Sequence, residues 1–220
     1  MMAEMIHLNG NIMCAVDTET TGTDWEKYDI WQIAVVPLDS NTFTPNNDFR
    51  PFYLEMKPRK ETLDPENPLI TKPKFDELCR TGMNPYNAAD QFAIWCRDHL
   101  KLPDRKRILP VCANWPFDAP FLRDWLGPLT MDYIFDARVR DLTVLAQWVN
   151  DLAAQQLLQV PFARTGLNNI CHYLSITNPN PHDAICDAIT TAKCWKRILD
   201  GFHLFADRIT LAPEVGPGQQ

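Results

Sequence analysis

The sequence contains no apolar run approaching the ~20 residues that a membrane-spanning helix needs, so no such span is expected. It has no C-x-x-C pair. Its seven cysteines are odd in number and scattered, which argues against a disulfide framework or a zinc ribbon and for a reducing compartment. The first residues, MMAEMIHLNG, carry an acid and no long apolar stretch, so no signal peptide is expected and the chain reads as a cytoplasmic protein, of a bacterial or phage-infected cell. No internal repeat is present. An excess of basic charge is also missing: 21 Lys and Arg against 28 Asp and Glu give a net charge of −7. Proteins that wrap long duplex usually carry a basic face. Any nucleic acid handled here is therefore expected to be gripped over a short stretch or at an end, with help from metal ions.

What is present suits one domain. The chain has 220 residues and is 45% apolar, enough for a sizeable core. Residues 1–205 read as that domain and 206–220, ending PEVGPGQQ, as a partly disordered tail. Strands are predicted over residues 11–17, Ile30–Leu38, Phe49–Met56 and Arg107–Ala113, with a short fifth at Tyr133–Phe135. The first has the near-continuous apolar character of a strand covered on both faces, and Pro51 suits an edge position for the third. Helices are predicted over Asn87–Leu100, with Phe92, Trp95, Cys96 and His99 on one face, then Trp115–Leu126, Val139–Leu158, Gly166–Leu174 and Asp183–Leu199. Pro37–Pro85 holds eight of the eighteen prolines and reads as mostly irregular. Its Lys57, Arg59, Lys60, Lys72 and Lys74 are equally compatible with a solvated loop and with phosphate contact. These elements give an α/β or α+β layer architecture.

Three short stretches carry candidate chemistry. In Val16-Asp17-Thr18-Glu19-Thr20-Thr21-Gly22, two acids sit two residues apart at the end of an apolar strand, so both point to one face. Buried charges need a partner or a metal, and paired carboxylates suit Mg²⁺ or Mn²⁺. The following turn leaves backbone amides to approach a ligand. No Gly-Lys-Ser/Thr follows, which excludes a P-loop. In Asn114-Trp115-Pro116-Phe117-Asp118, Asn114 reads as an N-cap, and Asp118 lies in the first helical turn, where the helix dipole alone would favour it. In His182-Asp183-Ala184-Ile185-Cys186-Asp187, the two aspartates share a helix face and Asp183 reads as the cap. Ala184, Ala188, Ala192, Trp195 and Leu199 form an adjacent packing stripe. His182 precedes the helix on a loop able to swing, and histidine is the natural residue type for a general base. Each stretch is weak by itself; the three in this order, all at element boundaries, are specific.

Together they resemble the motifs of the DEDDh 3′→5′ exonucleases of the ribonuclease H-like superfamily, the DnaQ-like group. VDTETTG is similar to the first motif, ANWPFDAPFL to the second and HDAICDA to the third. IWQIAVV and LNNICHYLSI resemble the second strand and the helix leading into the third motif. The resemblance spans roughly residues 11–200. It implies an α/β ribonuclease H-like fold, a central mixed five-stranded sheet flanked by helices. It also implies a single exonuclease domain that removes nucleoside 5′-monophosphates from DNA 3′ ends with two Mg²⁺ or Mn²⁺ ions. In that reading Asp17, Glu19, Asp118 and Asp187 hold the metals, His182 takes a proton from the attacking water, and Thr20, Thr21, Asn114 and Phe117 hold the terminal nucleotide. The partner would be a nucleic acid 3′ end, single-stranded DNA first, with a polymerase or a second copy of the chain as further partners and no membrane.

The chain departs from the family pattern at three places. Thr23 follows the Thr-Gly of the first motif where leucine is common, with Trp25 as a substitute, Ala113 precedes Asn114 where histidine is frequent, and Gln32 replaces an acid in the second strand. Competing readings are an exoribonuclease acting on short RNA or RNA tails and a non-catalytic end-binding, polymerase-associated module.

Overall fold

The computed structural model describes residues 8–67 and 69–206, with the side chains of 202–206 left aside; the expected tail, 206–220, lies outside the described residues from 207 on. Five strands form one mixed sheet in the order β3-β2-β1-β4-β5. They are β1 (Ile12–Thr20), β2 (Ile30–Pro37), β3 (Phe52–Glu55), β4 (Ile108–Cys112) and β5 (Arg140–Asp141). β1–β2 and β2–β3 are antiparallel, whereas β1–β4 and β4–β5 are parallel. This is the ribonuclease H-like arrangement that the resemblance implies, with β3 at the edge.

The apolar alternation of β1 explains the layering. Met13 and Ala15 join a core on one face with Leu142 and Ala146 of α5 (Leu142–Gln155), Ile170 and Cys171 of α6 (Leu167–Leu174), and the small-residue stripe of α7 (Ala184–Ala206). Ala184, Ala188 and Ala192 are fully buried there, and Trp195 and Leu199 extend the stripe as expected. Cys14 and Val16 face the other core, built from α2 (Pro85–Asp98), α3 (Trp115–Leu126) and α4 (Pro128–Ile134). Phe52, Phe92, Trp95, Trp125 and Phe135 form its aromatic centre, with ring centroids 5.0–6.0 Å apart. All seven cysteines are free thiols. No helix of the described residues is long and apolar enough to cross a membrane.

Several boundaries differ from expectation. The segment before α2 contains a helix, α1 (Lys72–Thr81), started by the Thr71 hydroxyl and Pro73 and anchored by Phe75 and Leu78. Tyr133 and Ile134 end α4, because Gly127 (φ 80°) and Pro128 start a helix there; only Phe135 touches the sheet, by one bridge to Ile108. The fifth strand is instead Arg140–Asp141, and α5 begins after the Asp141 cap rather than at Val139. His99, assigned by periodicity to the apolar face of α2, is exposed beyond the end of that helix.

Candidate active site

The site forms where β1 ends beneath the first turns of α3 and α7. Asp17 and Glu19 lie on the β1 face covered by α7, opposite Ala34 and Gln32 of β2. The ladder shifts register between Glu19 and Thr20, which turns the chain away from the sheet immediately after the acids. Thr18 binds the third acid: its backbone N–H and hydroxyl both donate to Asp118 Oδ1, at 3.2 and 2.5 Å.

Asp118 is placed by a cap that comes from another strand. Asn114 does not cap α3 with its side chain, contrary to expectation; it is left-handed (φ 66°) and exposed. The buried Asp141 carboxylate accepts instead from the N–H groups of Asn114 (3.1 Å), Trp115 (2.9 Å) and Thr143 (2.8 Å). One side chain thus starts both α3 and α5 and fixes the turn that carries Asp118.

The third motif folds as expected at its cap, with Asp183 Oδ1 accepting from Cys186 N–H at 3.2 Å. His182 takes a left-handed backbone (φ 66°) and its N–H donates to Asp187 Oδ2 at 3.3 Å, while the Asn178 side chain donates to Asp187 Oδ1. The exposed His182 ring is turned toward the acids: donor atoms of Glu19, His182 and Asp187 all lie within 4.8 Å of one another.

Burial and mutual repulsion set the electrostatics. Burial, then repulsion from Asp187 and Asp118, pushes Glu19 up to about 8. Burial raises Asp118 to about 7 against the opposing pull of its Thr18 bonds. Asp17 is driven well above the ordinary carboxylate range by burial and by the charges of Asp118, Glu19 and Asp187. Asp187 is also raised, by burial, with the Asn178 and His182 bonds opposing. Among the described residues, no Lys or Arg forms an ion pair with any of these four acids.

The remaining candidates are placed differently. The Thr20 hydroxyl donates to Gly22 C=O (2.7 Å), and the fully buried Thr21 hydroxyl accepts from Asp29 N–H (3.1 Å). Contrary to the expectation of free amides in this turn, Thr21 N–H is engaged, donating to Asp29 C=O. Gly22 has no room for a side chain: a Cβ there would lie 2.3 Å from the Tyr28 ring. Phe117 is half-buried, its ring 5.3 Å from Phe121. Trp25 is 42% exposed and lines a groove of about 860 Å³ with Trp115, Arg107 and Arg123.

The basic residues of the proline-rich segment are engaged with acids. Arg59 and Lys60 both bind Asp29 and Asp124, Lys57 pairs with Glu61, Lys72 with Asp76 and Lys74 with Glu55. Asn67 and Asp64 in the same segment bond to the carbonyls of Thr20 and Thr21, so this stretch braces the turn of the first motif. Asp141 and Asn178 escaped the sequence reading, and Gln32 was noted only as a departure from the family pattern. An isolated polar residue in or beside a short element carries no local pattern, and each acts across a long gap in sequence or from inside a loop.

A parallel-antiparallel sheet with a metal-suited acid cluster at the β1 end defines a DEDDh-type nuclease. The chain belongs to the RNase_T exonuclease family, whose model matches residues 14–195. Among solved structures it is similar to E. coli Exonuclease I in complex with a dT13 oligonucleotide (22% identity, TM-score 0.66), over 90% of this chain and 43% of that one. The zinc-bound Exonuclease I–ssDNA complex matches at 21% identity and TM-score 0.65, over 90% and 42%. Cell-death related nuclease 4 (CRN-4) matches at 17% identity and TM-score 0.60, over 87% and 64%. The chain therefore spans about two-fifths of the length of Exonuclease I. No curated protein matches.

The acid cluster fits divalent cations. Its donors are carboxylate oxygens plus one imidazole, the acids repel one another, and among the described residues no Lys or Arg pairs with them. The convergent set is Glu19, His182 and Asp187, with Asp17 and Asp118 coupled to it through their charges.

Proposed function

We propose that the protein is a metal-dependent 3′→5′ exonuclease that removes nucleoside 5′-monophosphates from the 3′ end of single-stranded DNA. The observation that carries this reading is the convergence of Glu19, Asp187 and His182 next to Asp17 and Asp118, with no Lys or Arg paired to these acids among the described residues. Exonuclease I, solved with single-stranded DNA, supports the choice of substrate.

Asp17, Glu19, Asp118 and Asp187 would hold two Mg²⁺ or Mn²⁺ ions. When bound, these cations neutralise the phosphate and lower the pKa of a water molecule. The chain supplies the rest. Thr18 fixes the Asp118 carboxylate, and Asn178 and the His182 N–H fix that of Asp187. His182, its ring open to solvent on one side and facing the acids on the other, takes the proton of the attacking water. Thr20, Thr21, Asn114 and Phe117 surround the terminal nucleotide, the first two by shaping the turn with their hydroxyls and Phe117 by offering a ring to a base. The net charge of −7 suits short strands or delivery by a partner, such as a polymerase or a second copy of the chain.

The test is a degradation panel of 5′-labelled single-stranded DNA, duplex DNA and RNA with Mg²⁺ or Mn²⁺. Shortening of single-stranded DNA from the 3′ end is expected. Faster shortening of RNA would reassign the substrate to RNA. Failure to shorten any of the three would overturn the enzyme reading.

A further inference from the structure

We propose that Gln32 and Tyr53 are positioning residues that hold the first turn of α7, and with it His182 and Asp187, in register with Glu19. The inference rests on the reading of those three residues as the catalytic centre.

Three antiparallel strands present one polar row to α7. Glu19 of β1 is opposite Gln32 of β2, which is opposite Glu55 of β3; Tyr53 lies two residues along on the same β3 face. Gln32 is buried, 3% exposed, and every polar group of its amide is used. Its Oε1 accepts from Ala184 N–H, the first free amide of α7, at 2.7 Å. Its Nε2 donates to the Tyr53 hydroxyl at 2.7 Å and to Glu55 Oε1 at 3.3 Å. Tyr53 in turn donates to Asp183 Oδ2 at 3.1 Å, and the other Asp183 oxygen caps Cys186 N–H. Lys74 closes the chain on Glu55 Oε2 at 2.6 Å.

Two consequences follow from the chemistry. The start of α7 is capped twice, once by its own Asp183 and once by a side chain 152 positions away on the neighbouring strand. A helix start fixed only by its own cap can tilt as a unit, whereas one tied to two strands of the sheet cannot move relative to Glu19. The direction of the bonds also requires an amide. Gln32 donates to the tyrosine oxygen and so leaves the one Tyr53 proton for Asp183. A carboxylate at position 32 would compete for that proton and would stand between Glu19 and Glu55 in the same row, adding charge where acids already crowd. The amide at this position therefore serves both Ala184 and Tyr53, whereas an acid could only accept from Ala184.

The test uses Gln32→Met, which keeps the length and removes both polar functions, Gln32→Glu, which keeps only an acceptor, and Tyr53→Phe. Amide hydrogen exchange across residues 182–188 is measured in metal-free protein, Mn²⁺ affinity by calorimetry, and kcat and KM on single-stranded DNA. Gln32→Met is expected to speed exchange in that segment and to weaken Mn²⁺ binding by about 10- to 100-fold, with kcat falling more than KM changes. Gln32→Glu should restore protection of Ala184 but not Mn²⁺ affinity. Tyr53→Phe should show the Gln32→Met effects in weaker form, and it serves as the reading should Gln32→Met not fold. Wild-type exchange and Mn²⁺ affinity in Gln32→Met, or in Tyr53→Phe where that variant stands in, overturns the proposal; so does failure of Gln32→Glu to restore Ala184 protection. The exchange measurement needs neither metal nor substrate. An inactive wild-type protein therefore defeats the nuclease reading without touching this measurement.

Discussion

Raising the pH of the metal-free protein should destabilise it, and a divalent cation should reverse the loss. Glu19 has a folded-state pKa of about 8 against an ordinary 4.5, set first by burial and then by Asp187 and Asp118. Because the folded value is the higher one, the folded state keeps a proton that the unfolded chain releases. The stability tied to Glu19 is fully present below about pH 4.5 and is lost as pH rises through 8. Each unit of difference is worth about 1.4 kcal/mol, so the loss is on the order of 5 kcal/mol for Glu19. Asp118, raised to about 7, loses stability in the same direction and overlaps with Glu19 because the two repel each other. For a domain of this size the loss corresponds to a fall in Tm on the order of 10 °C between pH 5 and 8.5. Asp136, held below the ordinary range by Arg138, acts only at lower pH and does not disturb this window. The assay is calorimetric melting from pH 5 to 8.5 in EDTA and again with Mn²⁺. With the cation the slope should flatten, since binding favours the ionised acids. Glu19→Gln should lose much of the slope in EDTA and melt higher than wild type at pH 8. A metal-free Tm that stays flat or rises with pH, or an unchanged slope in Glu19→Gln, would refute the reasoning.

Three further outcomes are expected. Asp17→Ala should abolish exonuclease activity while leaving the fold intact by circular dichroism, and His182→Ala should reduce kcat by roughly 10²-fold; full activity in the histidine variant would remove it as the base. Asp141→Ala should cost about 3 kcal/mol in denaturant melts, because it strips the acceptor from three backbone N–H groups at the starts of α3 and α5, and Asp141→Asn should recover part of this. Gly22→Ala should cost about 1–3 kcal/mol and impair activity, because the new methyl meets the Tyr28 ring. Adding Tyr28→Ala to that variant should restore stability.

The parts of the fold that were legible in the sequence are those whose residues state their own burial. β1, β2 and β4 are apolar nearly throughout, and α3 is bounded by Pro116 near its start and Gly127 at its end, so their limits agree to within a few residues. α1 was hidden because KPKFDELCRT buries only Phe75 and Leu78 on an otherwise charged helix inside a proline-rich segment. β5 could not be read at all: it is two residues, Arg140 and Asp141, recruited by pairing with Val111 and Cys112. The apolar Tyr133–Phe135 looked more strand-like and went to the end of α4.

The same contrast holds at the site. Glu19, His182 and Asp187 could be named because each sits in a short pattern at an element boundary, and they do converge. Their supports could not be recognised as such. Asp141 and Gln32 act on α3 and α7 from 26 and 152 positions away, through backbone amides that a sequence does not display. Charge alone left Arg59 and Lys60 open between a solvated loop and phosphate contact; their partners Asp29 and Asp124 lie on either side of them in the chain.

The central claim is hydrolysis from a free 3′ end at the Asp17–Glu19–Asp118–Asp187 centre with His182. It is tested most directly by mass spectrometry of the products from one single-stranded DNA oligonucleotide, with a free or a blocked 3′ hydroxyl, in the presence of Mn²⁺. The account predicts nucleoside 5′-monophosphates and a descending ladder of 5′-intact fragments from the free end, and neither from the blocked one. Internal cuts, products bearing 3′-phosphates, or equal digestion of the blocked oligonucleotide would contradict it.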